Sequence, residues 1–217
     1  MSAHCHAHSS DFTGADPRYR RVLWTVVAIN LAMFAVEIAA GAAADSRSLQ
    51  ADALDFLGDG LTYGLSLAVI GMAPVWRARA AMAKGVSLLA MAAFVLGSTL
   101  YAFLGPGQPH APTMGVVGFM ALGANLASVL LLLKYQKGDA NVRSVWLCSR
   151  NDAIGNVAVL IAAAGVWGSA TAWPDLLVAL GMAGLFTWSA VQIMRQASSE
   201  LQASSASTSA STLASGS

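Results

Sequence analysis

Six long apolar segments dominate the sequence and leave little choice of fold. They cover about residues 22–44, 50–73, 84–104, 113–133, 145–168 and 174–194. Each has the roughly 20 residues that a helix needs to cross the hydrocarbon core of a bilayer. All six prolines fall outside the interiors of these segments, as expected because proline breaks helical hydrogen bonding. The pattern predicts an all-α integral membrane protein with six transmembrane helices.

The composition points the same way. Of the 217 residues, 56% are hydrophobic and only 11% are charged, whereas a soluble domain has about 25% charged residues. The net charge of +1 gives no indication of a nucleic-acid partner. The first 20 residues are polar, so the sequence shows no cleavable signal peptide. We therefore expect a multi-pass protein of the cell membrane, in particular of a bacterial inner membrane, with lipid around it.

The basic residues are distributed unevenly between the two sides of the predicted bundle. If the N-terminus is cytosolic, Arg47 alone lies on the opposite side, and Arg150 lies within the fifth segment. The remaining ten basic residues are all cytosolic: Arg18, Arg20, Arg21, Arg77, Arg79, Lys84, Lys134, Lys137, Arg143 and Arg195. Because positive charges accumulate on the cytosolic side of membrane proteins, both termini are expected to be cytosolic.

The chain divides into three regions by composition. Residues 1–21 form a predicted flexible cytosolic segment, residues 22–196 the six-helix transmembrane domain, and residues 197–217 a disordered cytosolic tail rich in serine and alanine. The first region carries a cluster of metal-binding side chains, His4, Cys5, His6 and His8. Two interpretations of this cluster are open. It captures cytosolic metal weakly, or it is a flexible tail without that role.

Carboxyl groups inside the apolar segments are the main indication of function. Ionisable groups in a membrane span are costly and usually face the interior of the helix bundle. The spans contain Glu37, Asp52, Asp55, Asp59 and Asp152. Asp55 and Asp59 are four residues apart, so they lie on one face of the second helix. Cys148 and Asp152 repeat this spacing on the fifth helix, so two facing helices would offer three carboxylates and one sulfur to a common point.

The chemistry of these four side chains favours a metal site. Asp55 and Asp59 would repel each other in hydrocarbon unless a proton or a cation lay between them. Zinc is four-coordinate in proteins and accepts both carboxylate oxygen and thiolate sulfur. Calcium and magnesium prefer all-oxygen ligands, against which Cys148 argues. The candidate metal ligands are therefore Asp55, Asp59, Cys148 and Asp152, with zinc as the favoured ion and no resident cofactor or catalytic group expected.

Plainer interpretations exist for several of these residues. Glu37 is interpreted as a protonated carboxyl group hydrogen-bonded to a neighbouring helix, and Asp52 as a capping or orienting residue. Cys148 on its own would more often be a small buried hydrophobic residue. Judged by the edges of the apolar segments, the two pairs differ in depth by roughly 15 Å. We expect this offset to shrink, since a polar cavity extends helices beyond their apolar runs.

The sequence resembles the cation diffusion facilitator family. Asn30, Phe34, Glu37 and Gly41, followed by Ser48-Leu49-Gln50-Ala51-Asp52-Ala53-Leu54-Asp55, are similar to its first two helices, where a His or Asp ligand precedes an Asp by four residues. Asn151-Asp152-Ala153-Ile154-Gly155-Asn156-Val157 is similar to its fifth helix, and Trp173-Pro174-Asp175 to the start of its sixth. Members export zinc and similar ions from the cytosol in exchange for protons, as homodimers. The resemblance implies the same antiport and assembly here.

Two departures from the family pattern bear on these expectations. The position of Cys148 is usually His and sometimes Asp, so a softer ligand is expected to favour cadmium or to strengthen zinc binding. The family usually continues after its sixth helix into a cytosolic metal-binding domain, whereas a Ser/Ala-rich tail follows here. We therefore expect a short form without that domain, in which a homodimer forms through the membrane helices.

Two alternative functions are considered. An intramembrane aspartyl protease would use Asp59 and Asp152 as a pair of carboxyl groups sharing a proton. It would need neither Asp55 nor Cys148, and its flanking signature is not apparent. A small-molecule exporter would normally have fewer acidic groups in its spans and more aromatic residues than the 8% found here. Transport of a divalent metal is the expected function, and no enzymatic activity is expected.

Overall fold

The computed structural model describes residues 17–68, 74–104, 107–135 and 140–215, with the backbone alone for some of them, residues 140–148 and 203–215 among these. This part of the chain forms six α-helices: α1 (Pro17–Ala43), α2 (Arg47–Ala68), α3 (Pro74–Phe103), α4 (Ala111–Leu132), α5 (Ala140–Ser169) and α6 (Trp173–Ser215). A 3-10 turn (Leu133–Tyr135) follows α4. The predicted all-α fold is confirmed. The His/Cys cluster between His4 and His8 lies outside the described residues.

Five of these helices are long and apolar enough to cross a membrane, namely α1, α3, α4, α5 and α6. The remaining helix, α2, is less apolar because it carries Asp52, Asp55 and Asp59. Its 22 residues span about 33 Å, enough to cross the hydrocarbon core. It packs against α1, α3, α5 and α6, which keeps its polar face away from lipid. The protein is therefore a multi-pass membrane protein with its most polar helix inside the bundle.

Two helix boundaries differ from those that hydropathy predicted. The third helix begins at Pro74 and not near residue 84, where its apolar segment starts. The first turn of a helix suits proline because the N–H groups there have no partner within the helix. In the structure α6 continues to Ser215, past residue 196 at which composition predicted the end of the membrane domain. The alanines of this segment have the highest helix propensity of any residue.

Two apolar clusters enclose the middle of α2. One includes Leu49 and Ala51 near the start of α2, together with buried residues of α3, α4, α5 and α6 such as Phe186. The other includes Tyr63 and Leu67 further along α2, together with buried residues of α1 and Leu132 of α4. Asp55 and Asp59 lie between these clusters in the sequence. The polar groups of α2 are thus bounded along the helix by well-packed apolar layers.

Asp175, in the first turn of α6, fixes the start of α2. Its Oδ1 accepts hydrogen bonds from the hydroxyls of Ser46 and Ser48, both at 2.6 Å, and from the Ser48 backbone N–H at 3.1 Å. Its Oδ2 accepts the backbone N–H of Arg47 at 2.7 Å. Ser46 also caps the helix directly, since its Oγ accepts the N–H of Leu49 at 3.1 Å. A fully buried carboxylate therefore satisfies N–H groups that the first turn of α2 would otherwise leave unpaired.

The charge of Asp175 also lies where two helix dipoles favour it. It lies in the first turn of α6 and against the first turn of α2, and the N-terminus of each helix carries a partial positive charge. The turn between α1 and α2 is tight, with Asp45 in the left-handed region at φ 53°. The N–H of His110 donates to the carbonyl of Ala44 at 2.9 Å, which attaches the loop before α4 to this turn.

We expect Asp175→Ala to destabilise the bundle by about 2 kcal/mol or more, because buried donors of α2 lose a charged acceptor. Asp175→Asn, which keeps the shape but not the charge, should cost less. Asp45→Asn is a matched control, because Asp45 pairs with Arg47 at 2.7 Å but is half exposed, and exposed pairs contribute little. Thermal unfolding in detergent measures all three. An Asp175→Ala protein as stable as the control would contradict this role.

Candidate metal centre

Carboxyl groups from α2 and α5 line one small cavity inside the bundle. The cavity is too small to hold a water molecule and is bounded by Asn30, Asp55, Phe56, Asp59, Asn125 and Asp152. These residues come from α1, α2, α4 and α5. Asp55, Asp59 and Asp152, three of the four predicted ligands, are therefore brought together. The difference in depth that the apolar segments suggested is not found for these three aspartates.

The three aspartates interact directly. The carboxyl group of Asp152 lies within hydrogen-bonding reach of those of Asp55 and Asp59. A hydrogen bond between two carboxyl groups requires a proton on one of them, since an ionised carboxylate only accepts. Lys84 of α3 is the basic residue whose charge acts on Asp55 and Asp59. Within the described residues, no lysine or arginine lines the cavity itself.

Hydrogen bonds of Tyr63 and Asn30 restrict the side chains that line the cavity. The phenol of Tyr63, one turn after Asp59 and buried, donates a hydrogen bond to Asp59 Oδ2. The amide Nδ2 of Asn30 donates to the Val26 carbonyl at 2.8 Å within α1, which holds this side chain at the cavity. Such outer contacts limit the rotamers of the groups that they touch. The aspartates are thus held by a framework of polar contacts from α1 and α2.

Cys148 is the predicted ligand whose side chain the structure does not describe. The backbone of α5 is helical through residues 148 and 152, so its register places them one turn apart. Among the described side chains, no three of His, Cys, Asp or Glu are spaced as ligands of one metal ion. Asp152 instead lies within hydrogen-bonding reach of Asp55 and Asp59. Binding a cation would require these carboxyl groups to lose shared protons and turn toward a common centre.

Tyr63 and Asn125 contribute to the cavity although neither is a predicted site residue. Tyr63 follows Asp59 by four residues on an otherwise apolar stretch of α2, and this spacing places the two on one face. Asn125 is a buried amide in the middle of the apolar helix α4. Polar side chains at the centre of a membrane span were therefore a usable signal, because they are rare there unless they have partners.

Juxtaposition of α2 and α5 can be tested without any assumption about function. In a chain with Cys5 and Cys148 replaced by serine, we expect Asp55→Cys and Asp152→Cys together to be bridged by a short thiol-to-thiol reagent. Pairing Asp55→Cys with Ser169→Cys is the control, since residue 169 lies about 25 Å further along α5. Proteolysis followed by mass spectrometry detects the bridge. Equal bridging of both pairs, or of neither, would contradict the shared cavity.

The amino-acid sequence is similar to those of known proteins. Residues 23–202 match the model of the cation efflux transmembrane domain. Among curated proteins, the chain is 26% identical over 185 residues to the metal cation efflux system protein CzcD of Cupriavidus metallidurans, and equally to the cation efflux system protein CzcD of Alcaligenes sp.. Each alignment covers 80% of this chain and 58% of the relative, so the chain spans little more than half the length of these proteins. The family model covers most of the chain and all six helices, and the chain belongs to the cation efflux family, the cation diffusion facilitators.

Proposed function

We propose that this protein exports a divalent metal cation, zinc or cadmium, from the cytosol in exchange for protons. The observation that carries the proposal is the convergence of Asp55, Asp59 and Asp152 on one cavity within the bundle. Three carboxyl groups in such a place are expensive unless protons or a cation neutralise them. A metal cation bound there would be held by these aspartates and by Cys148, one turn before Asp152.

Proton exchange follows from the competition for the same oxygens. With no cation, Asp152 can form hydrogen bonds with Asp55 and Asp59 only through protons held between the carboxyl groups. Metal ligands must be deprotonated, so binding a divalent cation releases these protons. Opening of the cavity to the opposite side would let protons displace the cation. Exposure of the cavity to each side in turn would then couple the two flows.

Membership of a cation efflux family favours transport over the protease alternative, because that family consists of transporters rather than enzymes. An aspartyl protease needs two carboxyl groups that share a proton at a cleft open to a peptide and to water. The space between the aspartates has no room for a peptide segment. The small size of the cavity also disfavours the small-molecule exporter, because pockets for drug-sized molecules have volumes of about 300–1,000 Å³.

The setting of the transporter extends the proposal. The protein is expected in a bacterial inner membrane with both termini in the cytosol, as the distribution of arginine and lysine suggests. The homodimer inferred from the family would form through exposed apolar faces of the membrane helices. Weak capture of metal by His4, Cys5, His6 and His8 stays a prediction about residues outside those described.

Zinc-driven proton flux in liposomes containing the purified protein tests the proposal. We expect flux in the wild type and its loss in Asp59→Asn and in Asp152→Asn, because each variant removes a negative ligand while keeping its size. Asp45→Asn, outside the cavity, is the matched control and should retain flux. A folded wild-type protein without zinc- or cadmium-driven flux would refute the proposed antiport.

Cys148→Ser tests the sulfur ligand. Replacing a thiolate by a hydroxyl should weaken cadmium binding more than zinc binding, because cadmium has the stronger preference for soft ligands. We expect the ratio of the two affinities to shift toward zinc by about tenfold, or ~1.4 kcal/mol. Competition titrations in detergent measure the ratio. An unchanged ratio would remove Cys148 from the proposed ligand set and leave the three aspartates.

A further inference from the structure

A second pair of carboxyl groups lies outside the aspartate cavity and is connected to it by amide side chains. Glu37 of α1 is completely buried, and Asp52 of α2 is 2% exposed. Their carboxyl groups are within hydrogen-bonding reach of each other. No donor group among the described residues reaches either oxygen of Glu37. The Glu37–Asp52 pair can therefore form its hydrogen bond only when one of the two carries a proton.

Asn156 of α5 and Asn125 of α4 connect this pair to the cavity. The Asn156 amide donates to Asp52 Oδ2 at 2.5 Å, and its oxygen accepts from the amide of Asn125 at 2.8 Å. Both amides are buried, with Asn156 fully so. Asn125 in turn lines the cavity that holds the three aspartates. A continuous set of buried hydrogen bonds thus joins four helices between the pair and the cavity.

The charged groups that act on the pair are all acidic. The charges of Asp52 and Asp55, both on α2, act on Glu37. Helices α4 and α5 contribute the neutral amides Asn125 and Asn156 to this network. Among these described groups no cation balances the pair. Two ionised carboxylates at this distance in a low-dielectric interior would repel strongly, so a proton between them is the available compensation.

We propose that Glu37 and Asp52 form a proton-binding site separate from the cation site, and that this site releases its proton when a cation enters the aspartate cavity. This inference rests on the proposed function. A divalent cation adds positive charge one helical turn from Asp52, since Asp55 follows it by three residues. Added positive charge favours the ionised form of nearby acids. The pair would regain its proton when the cation leaves, and would thereby add to the number of protons exchanged for each cation.

The test is the number of protons released per zinc ion bound by the full-length protein in detergent. Calorimetry in buffers with different ionisation enthalpies gives this number. We expect Glu37→Gln to bind zinc with unchanged stoichiometry while releasing fewer protons, by up to about one per ion. Ser128→Ala is the control. Ser128 is buried on α4 near Asn125 but bonds only to the Ala124 carbonyl of its own helix at 3.1 Å, and the variant should release the wild-type number.

A second variant and a spectroscopic signal keep the test decisive. Asp52→Asn changes the other member of the pair and should lower proton release as Glu37→Gln does, including where Glu37→Gln does not fold. Infrared difference spectra should show protonated carboxyl signals that zinc removes in the wild type, and Glu37→Gln should lack one of them while keeping those of the aspartate cavity. A wild-type proton number in a folded variant, with an unchanged carboxyl signal, would overturn the second proton site. Failure of the wild type to bind zinc would instead refute the proposed function.

Discussion

Negative charge inside a membrane must be compensated, and this constraint accounts for the way that the bundle is built. The carboxyl groups of Glu37, Asp52, Asp55, Asp59 and Asp152 lie within helices of the bundle. None can remain ionised in hydrocarbon without a partner. The helix with three of them, α2, packs against four other helices, while more apolar helices such as α3 and α6 present exposed large side chains at the surface of the bundle. The helix with the most carboxyl groups is thus the one that packs against the most other helices of the described bundle.

Negative charge is compensated in different ways at the start and in the middle of α2. At its start, Asp175 receives hydrogen bonds from Ser46, Arg47 and Ser48, so its charge is balanced by backbone and hydroxyl dipoles. In the middle, carboxyl groups face one another, an arrangement that requires protons or a bound cation. The first solution is fixed because its donors belong to the protein. The second is exchangeable because the balancing ion comes from solution, and exchange is what a transporter needs.

Much of this arrangement could be predicted from the sequence. The four-residue spacing of Asp55 and Asp59 determines that they share a face, and their presence in an apolar context indicates that the face is internal. The relative depth of Asp59 and Asp152 could not be read correctly, because hydropathy marks apolar runs rather than helix ends. In the structure α5 begins at Ala140 and α2 starts at Arg47, so both aspartates lie nearer the middle of their helices than the apolar segments suggest.

Contacts between distant parts of the chain were beyond sequence reasoning. Asp175 lies 127 residues from Ser48, and no local pattern identifies it as the acceptor for the first turn of another helix. The same holds for Asn156, whose partner Asp52 is 104 residues away. Buried polar residues could be recognised as needing partners, but their partners depend on how the helices pack. For Cys148 the register of α5 supports the predicted spacing to Asp152, while its ligand role stays a prediction.

The attachment of α2 to α6 through Asp175 has a mechanical consequence. Because one carboxylate holds the first turns of both helices, their ends near Asp175 must move as one body. In the proposed exchange, a change in the side to which the cavity opens would then take one of two forms. Either α2 and α6 swing together as a lever about their joined ends, or α1, α4 and α5 shift around them. In both cases Asp55 and Asp59 would keep a fixed distance from the joined ends, and the wall carrying Asp152 would move relative to them.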